Sequence, residues 1–142
     1  MKQKVVLSIC GRQTYQDQEP DVIELVTEGT LEARDGGWDI AYEESDLTGM
    51  TGVTTTFRVE PGIITLTRSG KLHSQMVFSE GVPHDSLYQM EFGALLVTVC
   101  ASKVEYSITE AGGVIDLIYH IEIEQSAAGE IVYHLDITPQ TP

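Results

Sequence analysis

Basic side chains are scarce in this sequence: 8 Lys and Arg stand against 22 Asp and Glu, giving a formal charge of −14 at pH 7. A surface that acidic repels phosphate backbones and anionic headgroups, so neither nucleic acid nor a membrane surface is an expected partner. Cysteine is nearly absent. Cys10 and Cys100 lie in separate strand-like runs, with no CxxC and no His at ligand spacing, and are expected as reduced, half-buried small hydrophobes. Long apolar runs are missing as well: nothing approaches the ~20 residues of a membrane-spanning helix. The apolar run at 5–10 behind Met1-Lys2-Gln3-Lys4 is too short for a signal sequence, so a cytoplasmic protein is expected. There is no G-x-S-x-G, no Cys-His neighbourhood and no glycine-rich phosphate loop opening a helix. The expectation is a protein that is not an enzyme and carries no cofactor.

What the chain does have, from residue 5 to residue 137, is short runs of alternating apolar and polar residues broken by glycine-bearing turns. That period is the signature of strands with one face buried, and no 3.6-residue period is sustained long enough for a helix. The turns test the pattern, because each must align the apolar faces of its two flanking runs. A two-residue turn at Asp35-Gly36 sets Ala33 opposite Trp38, Leu31 opposite Ile40, Gly29 opposite Tyr42 and Thr27 opposite Glu44. At Glu60-Pro61-Gly62, an even-length loop pairs Val59 with Ile64, Phe57 with Leu66 and Thr55 with Arg68; a three-residue loop would bury Thr65 and Thr67 instead. Phe92-Gly93 pairs Met90 with Leu95 and Tyr88 with Val97, and Ala111-Gly112-Gly113 brings Val104, Tyr106 and Ile108 against Ile115, Leu117 and Tyr119. Gln125 to Gly129 joins the last two runs, and residues 11–20 read as a polar connection. The expected architecture is all-β: one domain over residues 1–142, an antiparallel up-and-down barrel of roughly ten strands, calycin- or lipocalin-like.

Polar residues in the inward phase are the candidate site, because burying them costs free energy unless they are paired or meet a ligand. Glu44 shares a face with Trp38, Ile40 and Tyr42; Arg68 with Ile64 and Leu66; Tyr88 with Met90; Tyr119 with Leu117 and Ile121. Arg68 with the hydroxyls of Tyr42, Tyr88 or Tyr119 would hold a polar or anionic head inside the barrel, with Glu44 orienting the guanidinium. The competing reading is an ion pair between Glu44 and Arg68 that only satisfies both groups, the commoner arrangement for buried charges. A second constellation, His120-x-Glu122-x-Glu124 with His134-x-Asp136, falls on one outward face and is a weak signal for a metal, since strand period alone produces it. His73 and His84 read as surface residues. The outward Ile118, Val132 and Leu96 would form a patch compatible with a homodimer. The functional expectation is non-catalytic binding of a small molecule or peptide in the interior. The alternative is a structural or interaction protein with a filled barrel, acting through its outer surface or as a homodimer.

Residues 42–95 carry a recognisable text: Tyr42-Glu43-Glu44-Ser45, Leu47-Thr48-Gly49, Gly52-Val53-Thr54-Thr55-Thr56, Arg68-Ser69-Gly70, Ser74-Gln75-Met76-Val77-Phe78, Ser86-Leu87-Tyr88 and Phe92-Gly93-Ala94-Leu95. With Val22-Ile23-Glu24-Leu25, Thr27-Glu28-Gly29 and the final Ala127-Ala128-Gly129-Glu130, this resembles the DUF1934 (YwiB-like) family of small bacterial proteins over nearly the whole chain. The resemblance implies a calycin-like barrel, a cytoplasmic setting and an uncharacterised function, and it brings no catalytic residues. The chain lacks two features of intracellular lipid binders, a helical lid after the first strand and an Arg-x-Tyr pair near the C-terminus. Lipid binding would rest on fold analogy alone.

Overall fold

The computed structural model describes residues 2–14, 19, 21–44, 51–70, 73–90, 93–124 and 126–140, excepting the side chains of 87–90 and 126–128. Ten strands form one antiparallel sheet: β1 (Lys2–Thr14), β2 (Asp21–Arg34), β3 (Gly37–Glu43), β4 (Val53–Glu60), β5 (Ile63–Gly70), β6 (Ser74–Phe78), β7 (Pro83–Met90), β8 (Gly93–Thr109), β9 (Gly112–Ile123) and β10 (Ser126–Pro139). Their order is β6-β5-β4-β3-β2-β1-β10-β9-β8-β7, so the sheet curls into a nearly closed barrel. The strands nearest the termini, β1 and β10, are joined by a full ladder, and the seam falls mid-chain between β6 and β7. Among the described residues only the bridges Ser79↔Val82 and Glu80↔Ala101 lie outside the strands there. Among the described residues no helix is long and apolar enough to cross a membrane.

Two hairpins have the registers that their turns dictate. Asp35 and Gly36 both take positive φ, 50° and 78°, the primed turn that matches strand twist, and Ala33↔Trp38 and Leu31↔Ile40 follow. Pro61-Gly62 forms the second two-residue turn and sets Val59↔Ile64, Phe57↔Leu66 and Thr55↔Arg68. Ile64 is therefore buried and its neighbour Ile63 exposed.

Elsewhere the structure departs from the sequence expectation. The ladder of β7 with β8 sets Tyr88 opposite Leu95 and Met90 opposite Gly93, each two residues from the expected partners Val97 and Leu95. A slip of two residues preserves the inward face, and for that reason the apolar pattern did not reveal it. Pairing of β2 with β3 stops at Thr30↔Ala41, so neither Gly29 with Tyr42 nor Thr27 with Glu44 forms a rung. Gly29 has another role: a Cβ there would stand 2.5 Å from the Ala41 carbonyl oxygen and 2.7 Å from Leu7 Cδ1. The glycine lets the β3 backbone and the Leu7 side chain of β1 both come close against β2. Residues 11–14, expected in a connection, continue β1; Gly11, Arg12 and Gln13 pair with both β2 and β10, and Thr14 with β10. In β8 a bulge between Ala101 and Lys103 changes phase, so Val97, Val99 and Ala101 point inward before it and Val104, Tyr106 and Ile108 after it.

The interior is filled by Val5, Leu7, Leu31, Ile40, Phe57, Val59, Ile64, Phe78, Ile115, Leu117 and Leu135, all essentially inaccessible. Tyr106, reaching from β8, accepts the Gly62 amide at 3.1 Å and donates to the Glu60 carbonyl at 3.2 Å, tying the β4–β5 turn across one end of the barrel.

Candidate ligand site inside the barrel

The site arises where the inward positions of β3 to β6 turn polar. Cross-strand register links Tyr42↔Thr55, Thr55↔Arg68 and Arg68↔Ser74, a row running through all four strands, two residues along from the apolar row Ile40, Phe57, Leu66 and Met76. Tyr42, Thr55 and Ser74 are buried, and Glu44 follows Tyr42 into the same space just beyond the end of β3. From the opposite wall β9 contributes Tyr119 and β10 contributes Tyr133. Their rings pack on the apolar row and beside it, Tyr133 on Phe57 with centroids 5.7 Å apart and Tyr119 on Phe78 at 4.6 Å.

The hydrogen bonds run in one direction. Tyr133 donates to Tyr42, and Tyr42 donates to the Glu44 carboxylate. Thr55 Oγ1 donates to Glu44 Oε2 as well. Glu44, with a side chain only 1% accessible, is thereby held by neutral donors from two strands. Arg68 is placed differently. Its Nε lies 3.9 Å from Glu44 Oε2, an ion pair by distance but too long for a hydrogen bond, and this buried Nε has no hydrogen-bond partner among the described residues. The cation and anion neutralise each other while only the anion is fully hydrogen-bonded.

Next to Arg68 lies a cavity of about 240 Å³ lined by Tyr42, Glu44, Arg68, Tyr119, Tyr133 and Gln13 on its polar side and by Ile9, Ile23, Leu25 and Ile131 on its apolar side. Burial pushes the Tyr42 hydroxyl up to about 12, helped by the Glu44 charge and opposed by Arg68. Burial likewise takes Tyr119 to about 12 against the pull of Arg68, and it raises Tyr133 well above the usual phenol value, with Tyr42 adding to the shift. All three therefore stay protonated near neutrality and present O–H groups. The cavity wall offers a guanidinium and phenolic donors, a chemistry suited to an oxygen-rich or anionic ligand group.

Four of the residues singled out from sequence, Tyr42, Glu44, Arg68 and Tyr119, line this one cavity. The side chain of Tyr88 lies outside the described residues. Sequence reasoning gives Tyr133 and Thr55 no role; the signal is present in the phase they share with Leu135 and Phe57, and for Tyr133 in its cross-strand partner Gly11, a residue with no side chain to compete for the space. The outer histidines are not gathered. His120 meets Glu130 at 3.1 Å, while His134 is held by Asp116 at 2.5 Å and Asp136 at 2.9 Å, and its pKa is raised chiefly by the Asp116 hydrogen bond. No three His, Cys, Asp or Glu among the described residues are placed to hold a metal. His84, expected at the surface, has a buried Nε2 without a hydrogen-bond partner among the described residues, and Cys10, expected half-buried, is exposed. Ile118 and Val132 are cross-strand partners, but Leu96 lies apart from them, bonded to Glu124 at the far end of β9.

No curated protein matches this chain. It is similar to the crystal structure of the ywiB protein from Bacillus subtilis with a TM-score of 0.83 and 20% identity, over 99% of this chain and 94% of the other. At that identity the likeness speaks for the fold, the same barrel. The model of a domain of unknown function, DUF1934, matches residues 7–137. With nearly every strand inside that match, the chain belongs to the DUF1934 family.

Proposed function

We propose that the barrel binds a compact small molecule without catalysis, seating its acceptor-bearing or anionic head on Arg68 and its apolar part against Ile9, Ile23, Leu25 and Ile131. The observation that carries this reading is the unequal treatment of the two charges. Glu44 is held by Thr55 and Tyr42, whereas the Nε of Arg68, a residue that lines the cavity, is buried without a hydrogen-bond partner among the described residues. A pair that served only to satisfy itself would be expected to close to hydrogen-bond distance, since a buried donor left unmade costs ~1–3 kcal/mol. A ligand oxygen at the accessible part of the Arg68 side chain would add a partner for the cation. At about 240 Å³ the space exceeds that of several waters yet is smaller than the ~300–1,000 Å³ of most ligand pockets, which favours a compact ligand. Protonated tyrosines are donors rather than bases near neutral pH, which supports binding over proton abstraction. The free thiols Cys10 and Cys100 suit a reducing compartment and support a cytoplasmic setting.

The test is native mass spectrometry of gently purified protein, comparing the wild type with a Glu44→Gln/Arg68→Met double variant that leaves no charge stranded. A stoichiometric adduct on the wild type, lost in a double variant with an unaltered circular dichroism spectrum, is the expected result. A clean apo mass on the wild type, or an adduct that both proteins retain, would overturn the proposal.

A further inference from the structure

The β2 strand is paired on both sides only over part of its length. Its inner ladder to β1 runs without a bulge from Asp21 to Glu32, but its ladder to β3 covers only Thr30 to Arg34. Among the described residues nothing pairs with the outer edge from Asp21 to Glu28. Where β2 leaves β3 the two splay around an open cleft of about 600 Å³ lined by Thr27, Gly29, Ala41, Glu43 and Thr54, among others. Val22, Ile23 and Val26 on this segment are 57%, 53% and 69% accessible, the most exposed large apolar residues described. The segment has no proline, lysine or bulge of the kind that protects natural sheet edges.

We infer that two copies of this chain pair through this edge, β2 antiparallel to β2 about a two-fold axis, in the register that sets Leu25 opposite Leu25. Backbone geometry limits the choices. Arg34 and Gly37 flank a two-residue turn and so form a hydrogen-bonded pair, which turns the amides of even-numbered β2 residues toward the β3 side and those of odd-numbered residues toward β1. Val22, Glu24, Val26 and Glu28 therefore present their N–H and C=O groups along the free edge. An isologous antiparallel pairing can be centred on Glu24, Leu25 or Val26, and the charges decide among these. Centring on Glu24 sets Glu24 against its own copy, and centring on Val26 sets Glu24 against Glu28. Centring on Leu25 pairs Glu24 with Val26 and Val22 with Glu28, so no two carboxylates face each other and each valine covers the stem of a glutamate. On the inner face the same register brings Leu25 to Leu25 and Ile23 to Thr27, extending the apolar side of the cavity mouth across the axis. The inference rests on the sheet edge and is independent of the proposed interior ligand.

Sedimentation velocity of the full chain across a concentration series tests it, with variants at Val26. A reversible dimer is expected, strengthened by salt because each copy carries a charge of −14. Val26→Pro removes an edge amide without touching the β1 ladder and should abolish the dimer while circular dichroism stays unaltered. Val26→Lys meets Glu24 of the other copy and should tighten association, whereas Val26→Glu should weaken it, each by about tenfold for two symmetry-related contacts. Val132→Lys makes the same charge change on the exposed outer face of β10 and should leave the dimer unmoved beyond the small effect of net charge. A monomer at every concentration, a dimer that survives Val26→Pro, or Lys and Glu at position 26 acting in the same direction would each overturn the inference. So would a Val132→Lys chain that dissociates, which would place the interface on the Ile118 and Val132 patch.

Discussion

Two adjacent rows of side chains in the same four strands behave oppositely. Ile40, Phe57, Leu66 and Met76 pack the lumen, while the next inward positions along β3 to β6 are Tyr42, Thr55, Arg68 and Ser74, of which Tyr42 and Arg68 border a cavity. Backbone geometry is the same in both rows. What differs is how each row can be satisfied. Apolar side chains are stabilised by contact alone, from any direction, so the first row closes on Phe78 and the ring of Tyr133. The second row needs donors and acceptors at set distances, and protein groups supply them for Glu44 but not fully for Arg68. Space that apolar packing would have closed is left beside an incompletely bonded cation. The barrel is solid where its needs are non-directional and hollow where they are directional.

The largest expected effect comes from breaking the apolar row. Phe57→Ala should cost ~3–5 kcal/mol in urea unfolding, the usual price of a large ring removed from a tight core. A loss under about 1 kcal/mol would mean that this row is no better packed than its neighbour. Next comes the charge pair. At 3.9 Å the Coulomb gain is ~4 kcal/mol at an effective dielectric of 20, close to the several kcal/mol lost in desolvating each ion. Arg68→Met strands Glu44, and the loss should fall somewhat below the ~3–5 kcal/mol of breaking a fully buried pair, because Arg68 keeps 19% accessibility. Adding Glu44→Gln should restore most of it. A double variant as unstable as the sum of the two singles would show that the charges do not interact.

The smallest effect appears only in alkali. Tyr42 and Tyr119 have folded values of about 12 against an ordinary 10, so their stabilisation is complete below pH 10 and is lost as pH rises toward 12, where the unfolded chain ionises first. Absorbance near 295 nm should show Tyr42 and Tyr119 resisting ionisation well above the ordinary phenol value, until close to unfolding. A single transition near 10 would place the second row in contact with solvent.

Much of this was readable from residue order. Alternation gave each strand its inward face, and the Asp35-Gly36 and Pro61-Gly62 turns pinned two registers, which placed Tyr42, Thr55 and Arg68 on adjoining strands and on the same side. The slip in the β7–β8 register was invisible because a shift of two residues moves a side chain along the barrel without changing its face. The part played by Tyr133 was equally hidden: Tyr133 and Tyr42 are separated by most of the chain and meet only across the lumen.

Residue order by itself determined the strands, most of their turns and which side chains enter the barrel, because a period of two is a local property of the extended backbone. Only the tertiary structure decided what faces what across the interior, where β2 parts from β3, and that Arg68 stops short of a hydrogen bond with Glu44. Those outcomes depend on the stagger and closure of all ten strands together, and no single segment encodes them.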